Sequence, residues 1–135
     1  MVVDGNILIR AVPGRRVREM FESFADGVIL YIPETAYLEA REHFASLLIK
    51  RGGDPDKGLN TLDAMASLGT VVTGDAYGGF EAEARQRLAA RDPDDWPILA
   101  TAIALGCPIW TEDADFFGCG VATWTSANIR RFFGQ

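Results

Sequence analysis

Short apolar runs rich in β-branched residues alternate along this chain with longer segments of helical periodicity, and this alternation restricts the fold most strongly. The candidate strands are Met1–Val3, Val28–Ile32, Val71–Thr73, Pro108–Thr111 and Val121–Thr123. Apolar residues recur at three- and four-residue intervals in the candidate helices, residues 16–24, 37–48, 59–66, 80–88, 98–105 and 126–133. Strands interleaved with helices predict an α/β fold with a central, mostly parallel sheet of about five strands, covered on both faces.

The length and composition are those of one ordinary globular domain. The chain has 135 residues, of which 48% are hydrophobic, so we expect a single domain spanning residues 1–135. No apolar run approaches the ~20 residues needed to cross a bilayer. The first residues predict a buried strand and not a charged leader, so we expect a cytoplasmic protein without membrane partners.

Histidine and cysteine are too scarce for several common kinds of active site. His43 is the only histidine, which excludes Ser-His-Asp triads in their usual form and zinc sites with two histidines. Cys107 and Cys119 do not form a Cys-x-x-Cys pair, and we expect them to be buried free thiols. Any catalysis must therefore use carboxylates.

The net charge of −6 argues against a surface that attracts nucleic acid everywhere. Local basic patches are still compatible with it, because arginines occur in three groups: residues 15–18, 85–91 and 130–131. Guanidinium groups suit phosphate recognition. Solvated helix faces and salt-bridge partners explain each group equally well.

Four widely separated acids are the main candidates for a functional site: Asp4, Glu39, Asp95 and Asp113. Asp4 and Asp113 follow predicted strands, and the carboxyl ends of parallel strands meet at one edge of a sheet, where ligands of such folds bind. Taken singly, each aspartate could instead accept hydrogen bonds from loop amides or cap a helix.

Gathered in one cleft, these carboxylates would repel one another and raise one another's pKa unless a cation lay among them. Oxygen ligands without imidazole or thiolate favour Mg²⁺ or Mn²⁺, which bind a few carboxylates together with a substrate phosphate. Such ions promote attack of water on a phosphodiester, so the acids indicate phosphodiester hydrolysis.

The third acid lies in a run of neighbouring aspartates, and its register has to be chosen. We choose Asp95 because Ile98, Leu99 and Ala102 follow at three-, four- and seven-residue intervals, which places Asp95 on the inward edge of a helix. Asp92, before a proline, is then a cap or loop residue. Asp94 remains a candidate spare ligand.

The acids and their neighbours resemble the motifs of the PIN-domain ribonucleases, most closely the bacterial VapC-type toxins. The matching segments are Asp4-Gly5-Asn6 after the first strand, Glu39 in the helix after the second, residues 95–102 (DWPILATA) and residues 110–116 (WTEDADF). The resemblance spans essentially the whole chain, and its last two motifs are specific. Gly5 is a mild departure at a position that varies in the family.

This resemblance implies an α/β/α sandwich, a three-layer fold, and an endoribonuclease dependent on Mg²⁺ or Mn²⁺ that cuts RNA. It also implies a cognate antitoxin partner and a homodimer. The metal-binding acids of the family correspond to Asp4, Glu39, Asp95 and Asp113. A further acid of variable use corresponds to Asp115, and polar residues that hold the acids or a water correspond to Asn6 and Thr111.

Two other interpretations of the sequence compete with a PIN-like ribonuclease. Receiver domains and haloacid-dehalogenase-like phosphatases also place acids at parallel strand ends, but they need a later catalytic lysine, and Lys50 and Lys57 lie in a turn-rich segment. A non-catalytic PIN-like module that acts by binding a regulatory partner is the alternative function. Four aromatic residues could form either core or a subunit contact, and core is favoured: Tyr77, Phe80, Phe132 and Phe133.

Overall fold

The centre of the fold is a sheet of five short strands, all of them parallel. The structure is a computed structural model that describes residues 1–135, apart from the side chain of Pro55. The strands are β1 (Val2–Val3), β2 (Tyr31–Pro33), β3 (Thr70–Val72), β4 (Ile109–Trp110) and β5 (Thr123–Trp124). Their order across the sheet is β3-β2-β1-β4-β5, and each neighbouring pair is parallel. β1 is therefore central, with β2 and β4 on either side.

Seven α-helices connect the strands: α1 (Gly5–Ala11), α2 (Arg15–Ala25), α3 (Glu34–Lys50), α4 (Pro55–Leu68), α5 (Gly74–Tyr77), α6 (Glu81–Arg87) and α7 (Trp96–Leu105). Short 3₁₀ helices cover residues 78–80, 93–95, 114–116 and 129–131. α7 ends at Leu105, and the following Gly106 has a φ of 63°, the left-handed conformation that favours glycine after a helix C-terminus.

The pleat of the central strands divides the core into two halves. Val3 and Trp110 point into one hydrophobic cluster with α1 to α4, whereas Val2 and Ile109 point into the other with α6 and α7, as the two-residue period of a strand requires. Helices therefore cover both faces of the sheet, and the expected three-layer α/β/α architecture is confirmed.

Several element boundaries differ from the sequence prediction. α1 was not predicted at all, and β2 starts at Tyr31, not at Val28. Val28 still belongs to the turn that ends α2, because its N–H donates to the carbonyl of Phe24 at 3.0 Å. The adjacent Ile29 is 56% exposed. β3 and β5 are likewise displaced by one or two residues from their predicted positions.

The predicted helix over residues 126–133 was wrong. This segment forms only a 3₁₀ turn at Ile129–Arg131. The side chain of Asn128 bonds back to the N–H of Thr125 at 2.8 Å, which favours a turn over a regular helix. Phe133 stacks on Phe24 at a ring-centroid distance of 4.1 Å and fixes the segment against α2.

The predictions for aromatic residues and thiols are partly confirmed. Tyr77 is buried and Phe133 is half-buried, but Phe80 and Phe132 are 37% and 39% exposed. Both cysteines are free thiols, with Cys119 buried and Cys107 only partly so. In the part of the chain that the structure describes, no helix is both long enough and apolar enough to cross a membrane.

Candidate metal centre

The backbone of the central strands fixes Asp4 at the carboxyl edge of the sheet. Its N–H donates to the carbonyl of Trp110 at 3.0 Å, which continues the pairing of β1 with β4. The chain then turns into α1 at Gly5. A β-carbon at Gly5 would lie 3.4 Å from the carbonyl oxygen of Ala36 in α3, an ordinary van der Waals distance, so α1 and α3 are close enough here to accept a β-carbon but not a larger side chain. This contact holds Asp4 beside the helix that carries Glu39.

Thr111 connects two of the acids. Its side chain is fully buried, and its hydroxyl donates to Asp4 Oδ2 at 2.7 Å. The same hydroxyl accepts the N–H of Asp113 at 2.9 Å. The hydroxyl thus connects Asp4, which follows β1, with Asp113 in the segment after β4.

A tight turn presents Asp113 and Asp115 together. Asp113 Oδ1 accepts the N–H of Asp115 at 2.9 Å at the start of the 3₁₀ helix 114–116. Oxygen atoms of Asp95, Asp113 and Asp115 all lie within 4.8 Å of one another. Asp115, which corresponds to an acid of variable use in the family, therefore belongs to this close group of three carboxylates.

The structure separates the roles of the three neighbouring aspartates around residue 94. Asp92 accepts the N–H of Asp94 at 3.1 Å and caps the 3₁₀ helix, as predicted. Asp94 is exposed, and its carboxylate lies 3.5 Å from Arg85 Nη1. Asp95 precedes α7 but makes no capping bond with its side chain. Its carboxylate is left facing the other acids.

Glu39 lies in the wall of the cleft that α3 forms. It projects from α3 and, together with Asp4 and Asp95, lines a small cavity of about 20 Å³, which is room for roughly one water-sized guest. Glu39 is exposed and is not a member of the tight group formed by Asp95, Asp113 and Asp115. The side chain of Asn6 bonds the loop after β4, where its Oδ1 accepts the N–H of Glu112 at 3.4 Å.

Crowding of carboxylates shifts their protonation. The pKa of Asp95 is raised from its usual value of 3.8 to about 7. The main cause is burial, and neighbouring negative charges contribute the rest. Those charges belong to Asp92, Asp4, Asp113 and Glu39. The four acids chosen from the sequence therefore interact electrostatically in the folded chain.

The pKa values of Asp4 and Glu39 are also raised. For Asp4 the main cause is burial, opposed by the hydrogen bond from Thr111, and the charge of Asp113 adds to the increase. For Glu39 the causes are loss of hydration followed by the charge of Glu42. Among the described residues, no basic side chain forms an ion pair with Asp4, Glu39, Asp95, Asp113 or Asp115.

The donor set fits a hard divalent cation. Every candidate ligand is a carboxylate, three of them can reach one point, and their charge is not neutralised by a described basic side chain. Carboxylate oxygens are the ligands that Mg²⁺ and Mn²⁺ prefer. Asp95, Asp113 and Asp115 could hold such an ion directly, with Asp4 and Glu39 on the adjoining wall.

Glu112 has a supporting role that the sequence did not predict. Its Oε1 accepts the N–H of Ser126 at 2.7 Å, and the Ser126 hydroxyl accepts the indole N–H of Trp110 at 3.1 Å. Glu112 thus ties the C-terminal segment to the loop that carries Asp113. Its position beside Asp113 was the only signal in the sequence.

The family of the chain follows from a comparison with protein-family models. The PIN domain model matches residues 2–133. The chain belongs to the PIN domain family. No curated protein sequence matches this PIN domain significantly.

The same fold occurs among solved structures. A chain of the crystal structure of VapBC2 from Rickettsia felis, bound to a DNA fragment from their promoter, superposes on this PIN domain with a TM-score of 0.73. The match covers 92% of this chain and 96% of that chain at 16% sequence identity. At this identity the similarity establishes the shared fold.

Proposed function

We propose that this PIN domain is a metal-dependent endoribonuclease that hydrolyses RNA phosphodiester bonds, and that it is the toxin of a toxin–antitoxin pair. The observation that carries the proposal is the convergence of Asp4, Asp95 and Asp113, which are far apart in the sequence, on one edge of the sheet. PIN domains are generally nucleases, and the fold similarity to a chain of VapBC2 supports a VapC-type protein.

A bound Mg²⁺ or Mn²⁺ would supply positive charge to a scissile phosphate and lower the pKa of a water molecule in the site. Asp95, Asp113 and Asp115 would hold it, and Mg²⁺ is the first choice because all the ligands are oxygen atoms. Thr111 keeps Asp4 and Asp113 in place through its two hydrogen bonds.

Preorganisation is the main contribution of the chain itself. The acids sit on strand ends, a helix start and a hydrogen-bonded turn, so little rearrangement is needed when the substrate phosphate arrives. Partial burial strengthens electrostatic interactions at the site relative to bulk water. No protein nucleophile is required in this proposal, because the attacking group is a water molecule.

An antitoxin is the proposed regulatory partner. One chain of the VapBC2 structure is similar in fold to this chain over nearly the whole length of both. VapC-type toxins are inhibited by a cognate antitoxin. A homodimer and a cytoplasmic location remain predictions. Co-purification with a small protein encoded directly upstream would identify the antitoxin.

The test is RNA cleavage by the purified chain with Mg²⁺, with Mn²⁺ and with excess chelator. We expect a mixed RNA substrate to be cut only when the metal is present. Asp4→Asn and Asp95→Asn should abolish cutting while leaving the fold intact by circular dichroism. The matched control is Asp26→Asn, an exposed aspartate after α2, which should cut normally.

Two results would contradict the proposal. Cleavage that survives in both Asp4→Asn and Asp95→Asn would show that the acids are not the catalytic groups. Absence of cleavage by the unmodified chain with either metal would instead favour the alternative function, a PIN-like module that acts by binding a regulatory partner.

A further inference from the structure

One arginine bonds the backbone of the loop that carries Asp113 and Asp115 and has no carboxylate partner among the described residues. Arg91 is exposed, and its Nη1 donates to the carbonyl oxygen of Ala114 at 2.9 Å. Ala114 stands between Asp113 and Asp115, so the guanidinium is held at the rim of the candidate metal centre. Only one of the five N–H donors of Arg91 is used in the contacts of the described residues.

The neighbouring arginines are engaged differently. Arg85 pairs with Glu81 at 2.9 Å and lies over the ring of Trp96, and Arg87 pairs with Glu83 at 2.6 Å. Within the described part of the chain, Arg91 is the member of this arginine group that forms no ion pair. Its charge is therefore available to an anion that enters the cleft.

An exposed aromatic residue adjoins Arg91. The N–H of Phe117 donates to the same carbonyl oxygen of Ala114, at 3.0 Å, so the two residues are close neighbours. Phe116 is fully buried and anchors this turn in the core, whereas Phe117 is 44% exposed. Gly118 follows with a φ of 85°, a left-handed conformation that favours glycine.

An exposed arginine and an exposed aromatic residue that bond the same carbonyl oxygen are a combination suited to single-stranded nucleic acid. The guanidinium contacts a phosphate, and the ring stacks on a base, which is worth about 1–3 kcal/mol per base. The overall charge of −6 repels RNA, so a local cation at the acid cluster is what a polyanionic substrate needs to approach.

We propose that Arg91 and Phe117 form a binding subsite for the nucleotide next to the scissile phosphate. Arg91 contacts the adjoining phosphate, and Phe117 stacks on an unpaired base. This inference rests on the proposed ribonuclease function and assigns to it two residues that bind the substrate. Stacking on Phe117 requires an unpaired base, because a base within a duplex is not free to stack.

The experiment measures equilibrium binding of a fluorescently labelled, single-stranded oligoribonucleotide by anisotropy at several salt concentrations. The protein is the full chain carrying Asp95→Asn, so that the RNA stays intact. Arg91→Gln keeps a donor for the Ala114 carbonyl but removes the charge, whereas Arg91→Lys keeps the charge. Phe117→Ala removes the ring, and Phe117→Tyr retains it.

We expect Arg91→Gln to weaken binding roughly tenfold near 0.1 M salt and to reduce the logarithmic salt slope by about 0.7, the value for one phosphate contact with a single strand. Phe117→Ala should weaken binding roughly fivefold or more without changing that slope. Arg91→Lys and Phe117→Tyr should stay within about threefold of the parent. Duplex RNA should bind weakly and be insensitive to Phe117→Ala.

Two control substitutions lie away from the subsite. Arg15→Gln removes an exposed arginine that pairs with Glu19 on α2. Phe132→Ala removes an aromatic residue of similar exposure beside a cavity that Pro108 and Val121 also line, at the amino ends of β4 and β5. Both controls should bind RNA as the parent does.

The outcomes separate this inference from the proposed function. If the unmodified chain cleaves RNA but Arg91→Gln and Phe117→Ala bind like the controls, the subsite is wrong and the ribonuclease proposal stands. Absence of measurable binding by the parent also overturns the subsite. If Arg91 only anchors the Ala114 loop, Arg91→Gln retains the salt slope of the parent, which likewise overturns the phosphate contact.

Discussion

Replacing Asp95 with asparagine should stabilise the metal-free protein at pH 8. Burial and the neighbouring acids raise the pKa of Asp95 from 3.8 to about 7 in the folded chain. Between these two values the folded state binds more protons than the unfolded state does, so the free energy of unfolding falls as the pH rises through this window. Asparagine has a similar shape and carries no charge, so it removes this pH-dependent loss.

The magnitude follows from the displacement of the pKa. A shift of one pH unit corresponds to about 1.4 kcal/mol, so a rise from 3.8 to about 7 would correspond to about 4 kcal/mol in full. Because the carboxylate is only partly buried, solvent screens the repulsion. We therefore expect Asp95 to cost the metal-free protein ~2 kcal/mol at pH 8 relative to pH 4.5.

The assay is urea denaturation in the presence of chelator at several pH values from 4.5 to 8. The free energy of unfolding of the unmodified chain should fall with rising pH more steeply than that of Asp95→Asn. Asp75→Asn, which changes an exposed aspartate on α5, should follow the unmodified chain. Added Mn²⁺ should reverse the order at pH 8, because the ion binds the folded, ionised form.

Two results would refute this reasoning. One is an Asp95→Asn protein that is less stable than the unmodified chain at pH 8 without metal. The other is an equal pH dependence of the two proteins. Either result would mean that neither burial nor the neighbouring acids disfavour the ionised form of Asp95 in solution.

Other substitutions test the parts that support the site. Thr111→Val should cost about 1–3 kcal/mol in unfolding free energy and lower RNA cleavage, since Asp4 loses its hydrogen-bond donor; a melt and a cleavage assay that both match the unmodified chain would contradict this. Glu112→Ala should cost about 1 kcal/mol and expose the C-terminal segment to limited proteolysis, because the N–H of Ser126 loses its acceptor, whereas Glu112→Gln should protect it. Gly5→Val should destabilise the fold by about 1–3 kcal/mol by pushing α1 away from α3, while Gly5→Ala should be tolerated; equal urea midpoints for the two variants would refute that contact.

The parts of the fold that follow from local periodicity could be predicted from the sequence. The runs around Val2 and Ile109 are short and apolar because they are buried on both faces, and this identified two central parallel strands. Helices such as α7 were predicted by regular apolar spacing. α1 was missed because Asp4-Gly5-Asn6 has the composition of a turn, whereas the helix buries Ile7, Leu8 and Ala11 in the core.

Only part of the candidate site could be predicted from the sequence. Acids at strand ends could be predicted to meet because parallel strands share one carboxyl edge. The close approach of Asp115 to Asp95 depends on the turn that Asp113 forms, and the contacts of Arg91 and Glu112 depend on where distant loops lie. Such long-range placements have no signature in residue spacing.

Crystals grown with Mn²⁺ would test the central claim most directly, by the anomalous scattering of the ion. We expect an anomalous peak within ligand distance of the carboxylates of Asp95 and Asp113, and its loss in Asp113→Asn crystals grown under the same conditions. A map without a peak at this position at millimolar Mn²⁺ would contradict the claim that these acids converge to bind a divalent ion.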